Sequence, residues 1–447
     1  MEKKWEELSL DEKQEEMFSR WSSPQGATFS SAEAEKSYKA RVARIKDAVQ
    51  LKKLPDRVPV FPIVGFFPAY YAGITPQVAM YDYEKRNAAW KKYVYDFQPD
   101  VDPGVMSASP GIIYDMLDYK LYSWPGHGVS PNVSYQCIEG EYMKADEYDA
   151  LIDDPSFFFS NIYLPRVFGV MQPFQKLPVL TSILEMYAGM SAVSFIPYGL
   201  PDVQEAYKKL METGTETLKW IGSVGAYGKE VLEAGWPAGF GGGCKAPFDT
   251  IGDTLRGTRG ISMDLYRQPQ KLLKALERMT PIMIKMGVSA AKANNNPIVF
   301  IPLHKGADGF LSDEQFRKFY WPTFRELLMG IINEGCVPFS YAEGGYNSRL
   351  EIIKDLPRGK AIWAFDQTDM AKAKKILGNN ACIGGNIPSA ILNVGTKEQV
   401  IDYTRKLIDT AGKGGGYIMM NGAVIDDTRV ENVKAWIDFS MEYGVYK

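Results

Sequence analysis

The 447-residue sequence predicts an α/β fold, a parallel sheet closed into a barrel with a helical extension ahead of it. Three observations carry that expectation. Apolar runs of strand length alternate with helical stretches through the C-terminal half, and sustained alternation of this kind builds a parallel sheet. The stretch 335 to 345 shows one complete unit: a helix from 316 to 334 stops at Gly335, apolar residues 337 to 341 follow, and Ala342-Glu343-Gly344-Gly345 forms a polar exit. Five successive runs end on a polar residue, namely His304, Glu343, Asp366, Asn386 and Asn421. Strand C-termini carry the chemistry of α/β barrels, so five such tips in a row point to one shared site.

Composition narrows the class. Hydrophobic residues make up 45% and charged residues 23%, which is ordinary globular usage. The net charge is −3 with no basic block, so the chain lacks the electrostatic footprint of a nucleic-acid or anionic-membrane binder. The first residues are highly charged and contain no apolar core, unlike a signal peptide. No run approaches the ~20 apolar residues of a membrane span. A cytoplasmic protein is expected. Four cysteines (137, 244, 336 and 382) stand far apart without CxxC spacing, which excludes a disulfide framework or zinc ribbon. Histidine occurs only at His127 and His304, so imidazole chemistry must use one of these two.

Taken in order, residues 1–56 read as two charged helices, one opening near Leu10-Asp11 and one at Ser30/Ser31 with Glu33 and Glu35 in its first turn. This extension clasps either the barrel or a second subunit. Residues 57–447 are the barrel. Its first strand runs from Arg57 to Ile63 into an aromatic loop with Phe66, Phe67, Tyr70 and Tyr71. That cluster either packs or lines an apolar pocket. A helix is expected from Pro76 to Phe97. Residues 103–160 read as irregular, an insertion or lid, because so long a structureless segment inside a compact protein is usually functional. There His127 beside Trp124 either contacts substrate or is satisfied by backbone.

Helices follow from Pro173 to Ala192 and from Asp202 to Ala234. The run 239 to 250 is Gly-rich but follows neither the P-loop nor the Rossmann order, so it reads as a tight strand-to-helix loop. A helix from Pro269 to Ala293 precedes strand 297 to 303, which ends on His304. Three more units follow at 361 to 366, 381 to 386 and 417 to 421, the last leading to a helix from Val430 to Tyr443. Asp366 and Asn386 either join the site or cap the helices that follow them.

Several motifs in the C-terminal half resemble the uroporphyrinogen decarboxylase superfamily. They are Ala246-Pro-Phe-Asp-Thr with Leu255-Arg-Gly, the stretch Leu311 to Pro322, Ile383-Gly-Gly-Asn-Ile-Pro388 and Gly395 to Val400. Gly414-Gly-Gly-Tyr-Ile-Met and Arg429 to Lys434 complete the set. The resemblance implies a distorted (β/α)8 TIM barrel. The family's decarboxylases carry an Arg-rich first loop for substrate carboxylates. The corresponding stretch here, Gly65 to Gly73, has no arginine, so a tetrapyrrole bearing eight carboxylates would lose its charge-assisted partners.

The family's coenzyme M methyltransferases hold zinc with His-x-Cys and a later Cys. Here those positions read Tyr341-Ala342-Glu343 and a residue near Ala423. The branch that remains is the cobalamin-dependent demethylases, which pass a methyl group from an ether or similar donor to a corrinoid-binding protein. The resemblance therefore implies a corrinoid-dependent methyltransferase with a small donor as substrate, methoxyaromatic compounds being one candidate class. Glu343, His304 and Asp366 are the catalytic candidates. Glu343 either protonates the leaving oxygen or, with His304, holds a zinc ion. Phe67, Tyr70, Tyr71, Trp124, His127, Tyr341, Asn386 and Asn421 are the substrate-binding candidates. A decarboxylase of a smaller acid and a non-catalytic corrinoid or tetrapyrrole binder are the alternatives. A homo-oligomer is the default assembly.

Overall fold

The computed structural model describes residues 3–179 and 191–447. Among these, nine short strands form: β1 (Tyr122–Pro125), β2 (Gly128–Val129), β3 (Gln136–Cys137), β4 (Gly242–Gly243), β5 (Ile298–Leu303), β6 (Val337–Ala342), β7 (Ile362–Phe365), β8 (Cys382–Gly384) and β9 (Tyr417–Ile418). The last six pair side by side in chain order, every pair parallel. The apolar runs become strands because they are covered on both faces. Every residue of β6 and β7 is buried.

Two short segments close the sheet into a ring of eight. Val60 bridges Met419 in parallel, and Phe61 N–H donates to the Met419 carbonyl at 2.9 Å. Asp100 N–H then reaches the Val60 carbonyl at 3.0 Å, and Asp102 N–H reaches Pro237 at 2.8 Å. Gly241 N–H bonds Ile298, returning the circuit to β5. The expected distorted (β/α)8 barrel is present, with its first two stations held by a few backbone bonds rather than long ladders.

The barrel is filled, not hollow. Phe61, Phe240, Phe300 and Phe339 interlock within it, the closest ring centroids 4.8 Å apart. Below them lie the N-terminal helices α1 (Leu10–Ser22) and α2 (Ala32–Gln50), capped by Ser9 and Ser31 as their sequences imply. Phe18, Trp21, Tyr38, Val42 and Ile45 share one core with Ile298, Val337, Ile362 and Cys382, the residues that begin the strands. Gln14 donates to the Gly359 carbonyl at 3.0 Å, and Lys360 meets Asp11 and Gln14. The extension thus plugs the N-terminal end of its own barrel. The C-terminal end stays open.

Three expectations change in detail. The helix from Pro76 to Phe97 is two helices, Pro76–Tyr81 and Tyr83–Phe97, because Asp82 accepts a hydrogen bond from Lys85 N–H and starts the second. Residues 103–160 are not irregular throughout: they contain the helix Gly111–Leu117 and a three-stranded sheet in the order β2-β1-β3. The helix expected from Pro173 to Ala192 lies largely outside the described residues, and its start winds as a 3₁₀ segment, Gly169–Lys176.

Candidate active site

Register places the polar tips. Leu303 pairs with Ala342 and Ala342 with Phe365, so His304, Glu343 and Asp366 are each the first residue past a strand, side by side at one level. Neighbouring strands lie about 4.8 Å apart, which brings such residues into mutual reach. His304 Nε2 faces Glu343 Oε1 at 3.7 Å. The other ring nitrogen, Nδ1, bonds Asp253 Oδ2 at 2.5 Å. Asp253 sits on the π-helical turn Thr250–Leu255 that follows β4. The result is an Asp253–His304–Glu343 row whose outer member opens to the barrel mouth. The Glu343 side chain is 45% exposed, His304 34% and Asp253 13%.

Electrostatics separates the roles of the acids. Burial works to raise the Asp253 carboxyl, but the His304 hydrogen bond and the charges of His304 and Lys245 outweigh it and hold it at about 2. Asp253 is therefore ionised and must accept a proton from Nδ1, which sets the histidine tautomer. Burial works to lower the imidazole of His304. The hydrogen bond and charge of Asp253, with Glu343 and Asp249, override it and raise the imidazole above its usual value. Glu343 moves the other way from Asp253. Burial raises it first and Asp366 and Asp253 add to that against His304, leaving it above the ordinary carboxylate value. One row thus holds an ionised carboxylate, a proton-rich imidazole and a carboxyl inclined to keep its proton.

Four further groups surround the row. Lys245 Nζ meets Asp253 Oδ2 at 2.9 Å, and Lys305 Nζ lies 3.5 Å from Asp253 Oδ1. Asp249 is fully buried, accepting from Lys305 N–H at 2.8 Å and Tyr320 Oη at 2.6 Å. Burial and then the charge of Asp253 lift its carboxyl to about 6. The insertion contributes Tyr122, whose phenol is held protonated by burial and by Cys137 and Asp253 among its neighbours.

The other residues singled out from sequence scatter. Asp366 Oδ2 accepts from Gly344 N–H at 3.1 Å, steadying the exit loop of β6. Asn386 donates to the carbonyls of Asp366 and Thr368 at 2.9 and 2.8 Å, tying β8 to β7. Asn421 is buried and clamps the barrel seam: it accepts from Ile63 N–H at 2.8 Å and donates to the Ile63 carbonyl at 2.8 Å. Tyr341 points into the barrel and donates to the Gly422 carbonyl at 2.7 Å.

Phe67 is buried against Tyr93 and Phe97, and Tyr71 packs on Phe97 and donates to Asp96 at 2.7 Å. These two rings serve the surrounding helix. Tyr70 donates to the Asn132 carbonyl at 2.6 Å and pins the insertion to the first loop. His127 stacks on Trp124 and Tyr81 and pairs with Asp115 at 3.3 Å, while Trp124 Nε1 donates to Tyr81. The insertion thus uses Trp124 and His127 to hold itself together.

A zinc site needs three or four converging donors. Here His304 Nδ1 is taken by Asp253, leaving Nε2 and Glu343, while Asp366 is engaged by Gly344. Among the described residues no three His, Cys, Asp or Glu side chains gather in a metal-holding group. The expected zinc pair thus lacks its third ligand, and the donor set does not fit zinc.

Sequence reading missed Asp253, Lys245, Lys305 and Asp249. The usable clue was the Lys245 to Asp253 stretch, three charged positions packed behind a Gly-rich turn, as βα loops at a barrel mouth often are.

Residues 228–443 match the uroporphyrinogen decarboxylase family. The uroporphyrinogen decarboxylase of Syntrophotalea carbinolica is 22% identical over 300 residues, covering 65% of this chain and 80% of that protein. That of Chlorobaculum parvum is 23% identical over 189 residues, covering 40% and 51%. Among solved structures, a methyltransferase from Methanosarcina mazei superposes with a TM-score of 0.58 at 14% identity, covering 91% of this chain and 98% of that one. At that identity the likeness establishes a shared fold.

Proposed function

We propose that this chain, which carries a uroporphyrinogen decarboxylase family domain over residues 228–443, is a methyltransferase. It moves a methyl group from a small ether-type donor, with methoxyaromatic compounds as the first class to try, to a corrinoid held by a separate protein. The carrying observation is the Asp253–His304–Glu343 row, whose outermost carboxyl is raised above its ordinary value by burial. Two facts support the choice within the family. The first loop has no arginine for a polycarboxylate, and one solved structure of similar fold is a methyltransferase.

Cleaving a methyl ether requires the leaving oxygen to be protonated as its bond to carbon breaks. With the ether oxygen beside Glu343 at the mouth, the Glu343 proton passes to it and the donor leaves as an alcohol or phenol. The reduced corrinoid supplies the electron pair that accepts the methyl. Glu343 is left as a carboxylate 3.7 Å from His304 Nε2, and a proton on that imidazole favours the product state. Asp253 and Lys245 hold the ring in place throughout. Water reaching the open mouth reprotonates Glu343.

The test is single-turnover methylation of a reduced corrinoid protein, followed in its visible spectrum, across a panel of methoxyaromatic donors. We expect Glu343→Gln to slow transfer by about 10²-fold or more. No spectral change with any donor would overturn the reading, and an unchanged rate in the variant would remove Glu343 from it. One observation favours a second reading, a decarboxylase of a small acid. Lys245, Lys305 and His304 converge on Asp253 at the mouth, a grouping of basic side chains that a substrate carboxylate could also use. Release of CO2 without any corrinoid would establish that reading instead.

A further inference from the structure

The small sheet of the insertion has one face turned to the barrel mouth. Tyr122 of β1 lies directly opposite Cys137 of β3 in an antiparallel pair, so the two side chains share a face. Alternation along 135 to 139 puts Tyr135 and Glu139 on that same face, and Gln136 and Ile138 on the other. Contacts agree with the pattern. The Tyr122 and Tyr135 rings meet edge to face at 5.6 Å, and Tyr135 meets Phe66 in the same way at 5.8 Å. Phe66 stands at the exit of the first barrel segment, where Gly65 N–H bonds the Ile425 carbonyl. At the other end Glu139 accepts from Thr258 N–H and lies 3.8 Å from Lys305 Nζ, beside His304 in the chain. Cys137, between the two ends, feels the charges of Lys245, Asp253 and Lys305. This face therefore looks onto the Asp253–His304 end of the acid row.

What the face offers is specific. Tyr122 and Tyr135 are half-buried rather than covered, and Cys137 beside them is exposed. Tyr135 Oη donates to the Ser107 carbonyl at 3.2 Å, which fixes that ring. Tyr122 Oη meets no hydrogen-bond partner among the described residues, although Asp253 and Cys137 are among its neighbours. The rings on this face are held edge-on to one another, and aromatic rings favour a further ring at offset or edge-on spacing. A run of fixed rings ending in a free phenol suits a flat apolar group that carries a polar substituent. Phe67 and Tyr71, by contrast, spend their rings on the helix behind them.

We infer that Tyr122 selects the methyl donor: with Tyr135 and Phe66 it receives the ring of an aromatic compound, and its hydroxyl donates to an oxygen substituent on that ring. The role in the reaction rests on the methyl-transfer reading, whereas the binding needs no corrinoid and is tested without one. The experiment is calorimetric titration of the full chain with ortho-methoxyphenol, beside methoxyethanol as an ether without a ring. Ortho-methoxyphenol is expected to bind and methoxyethanol is not. Tyr122→Ala should weaken binding about 10-fold or more, and Tyr122→Phe about 3- to 10-fold. Ile138→Ala, on the opposite face of the same segment, leaves it unchanged. Cys137 is exposed while the other three cysteines are buried, so maleimide labelling reports the same face. Bound ortho-methoxyphenol should slow that labelling in the parent and not in Tyr122→Ala. Equal binding by the parent and Tyr122→Ala, or no binding of ortho-methoxyphenol at millimolar concentration, would overturn the inference. So would protection of Cys137 by hydroxocobalamin and not by ortho-methoxyphenol, which would give this face to the corrinoid. Binding that depends on Tyr122 without any methyl transfer would sustain the inference and remove the methyltransferase reading. Methyl transfer that ignores Tyr122→Ala would do the reverse.

Discussion

His304 is held from one side by an ionised carboxylate and faced on the other by a carboxyl that burial raises above its ordinary value. The chain has only two histidines, so this arrangement can be read directly by NMR titration, with His127→Ala assigning the peaks. His304 should titrate above its ordinary value of about 6.5, and Asp253→Asn should lower it, because burial is then opposed by Glu343 and Asp249 alone. The linkage signs follow from the same shifts. Asp253 is depressed to about 2, so its contribution to stability is present above the ordinary carboxylate value and fades as pH falls toward 2. His304 is raised, so its contribution is present below the ordinary imidazole value and is lost as pH rises through the folded one. Catalysis has a third dependence. An acid Glu343 makes single-turnover methyl transfer fall as pH rises through its raised value, whereas a basic Glu343 would make it climb; the pH profile decides. At this scale the sequence was partly legible. Glu343 and His304 stood out as polar residues ending apolar runs, but Asp253 belongs to a helical turn and became a partner only through the fold.

At the scale of elements, barrel register turns five separate strand ends into one rim. His304, Glu343 and Asp366 align because β5, β6 and β7 pair without offset at their last residues. Asn386 and Asn421 occupy the corresponding tips, yet both are spent on backbone carbonyls and N–H groups. A polar tip was readable from sequence, whereas its occupation was not, since that depends on how closely the adjoining loop approaches. Gly422 shows how close: a Cβ there would lie 2.8 Å from Asp366 Oδ1. The helices α1 and α2 make the opposite contribution by sealing the far end. Phe18 is fully buried in the core shared with the strand beginnings. Phe18→Ala should cost about 3–5 kcal/mol in urea unfolding. Because the plug lies at the end away from His304, the surviving folded fraction should keep its transfer rate.

For the whole molecule, among the described residues, the N-terminal end is plugged while the acid row at the C-terminal end remains partly exposed, beside the insertion that carries Tyr122 and Cys137. The sequence by itself determined the βα order, the strand and helix positions of the C-terminal half, the capped N-terminal helices and the two outermost members of the acid row. These follow from local properties, namely hydrophobic period, capping residues and the polar residue that ends each run. Only the tertiary structure decided that residues 57–64 and 100–102 close the barrel, that the extension plugs it, that Asp253 orients His304, and that Phe67 and Tyr71 pack away from the mouth. Each of these depends on residues distant in sequence meeting across the ring. Periodicity within one segment carries no information about that meeting.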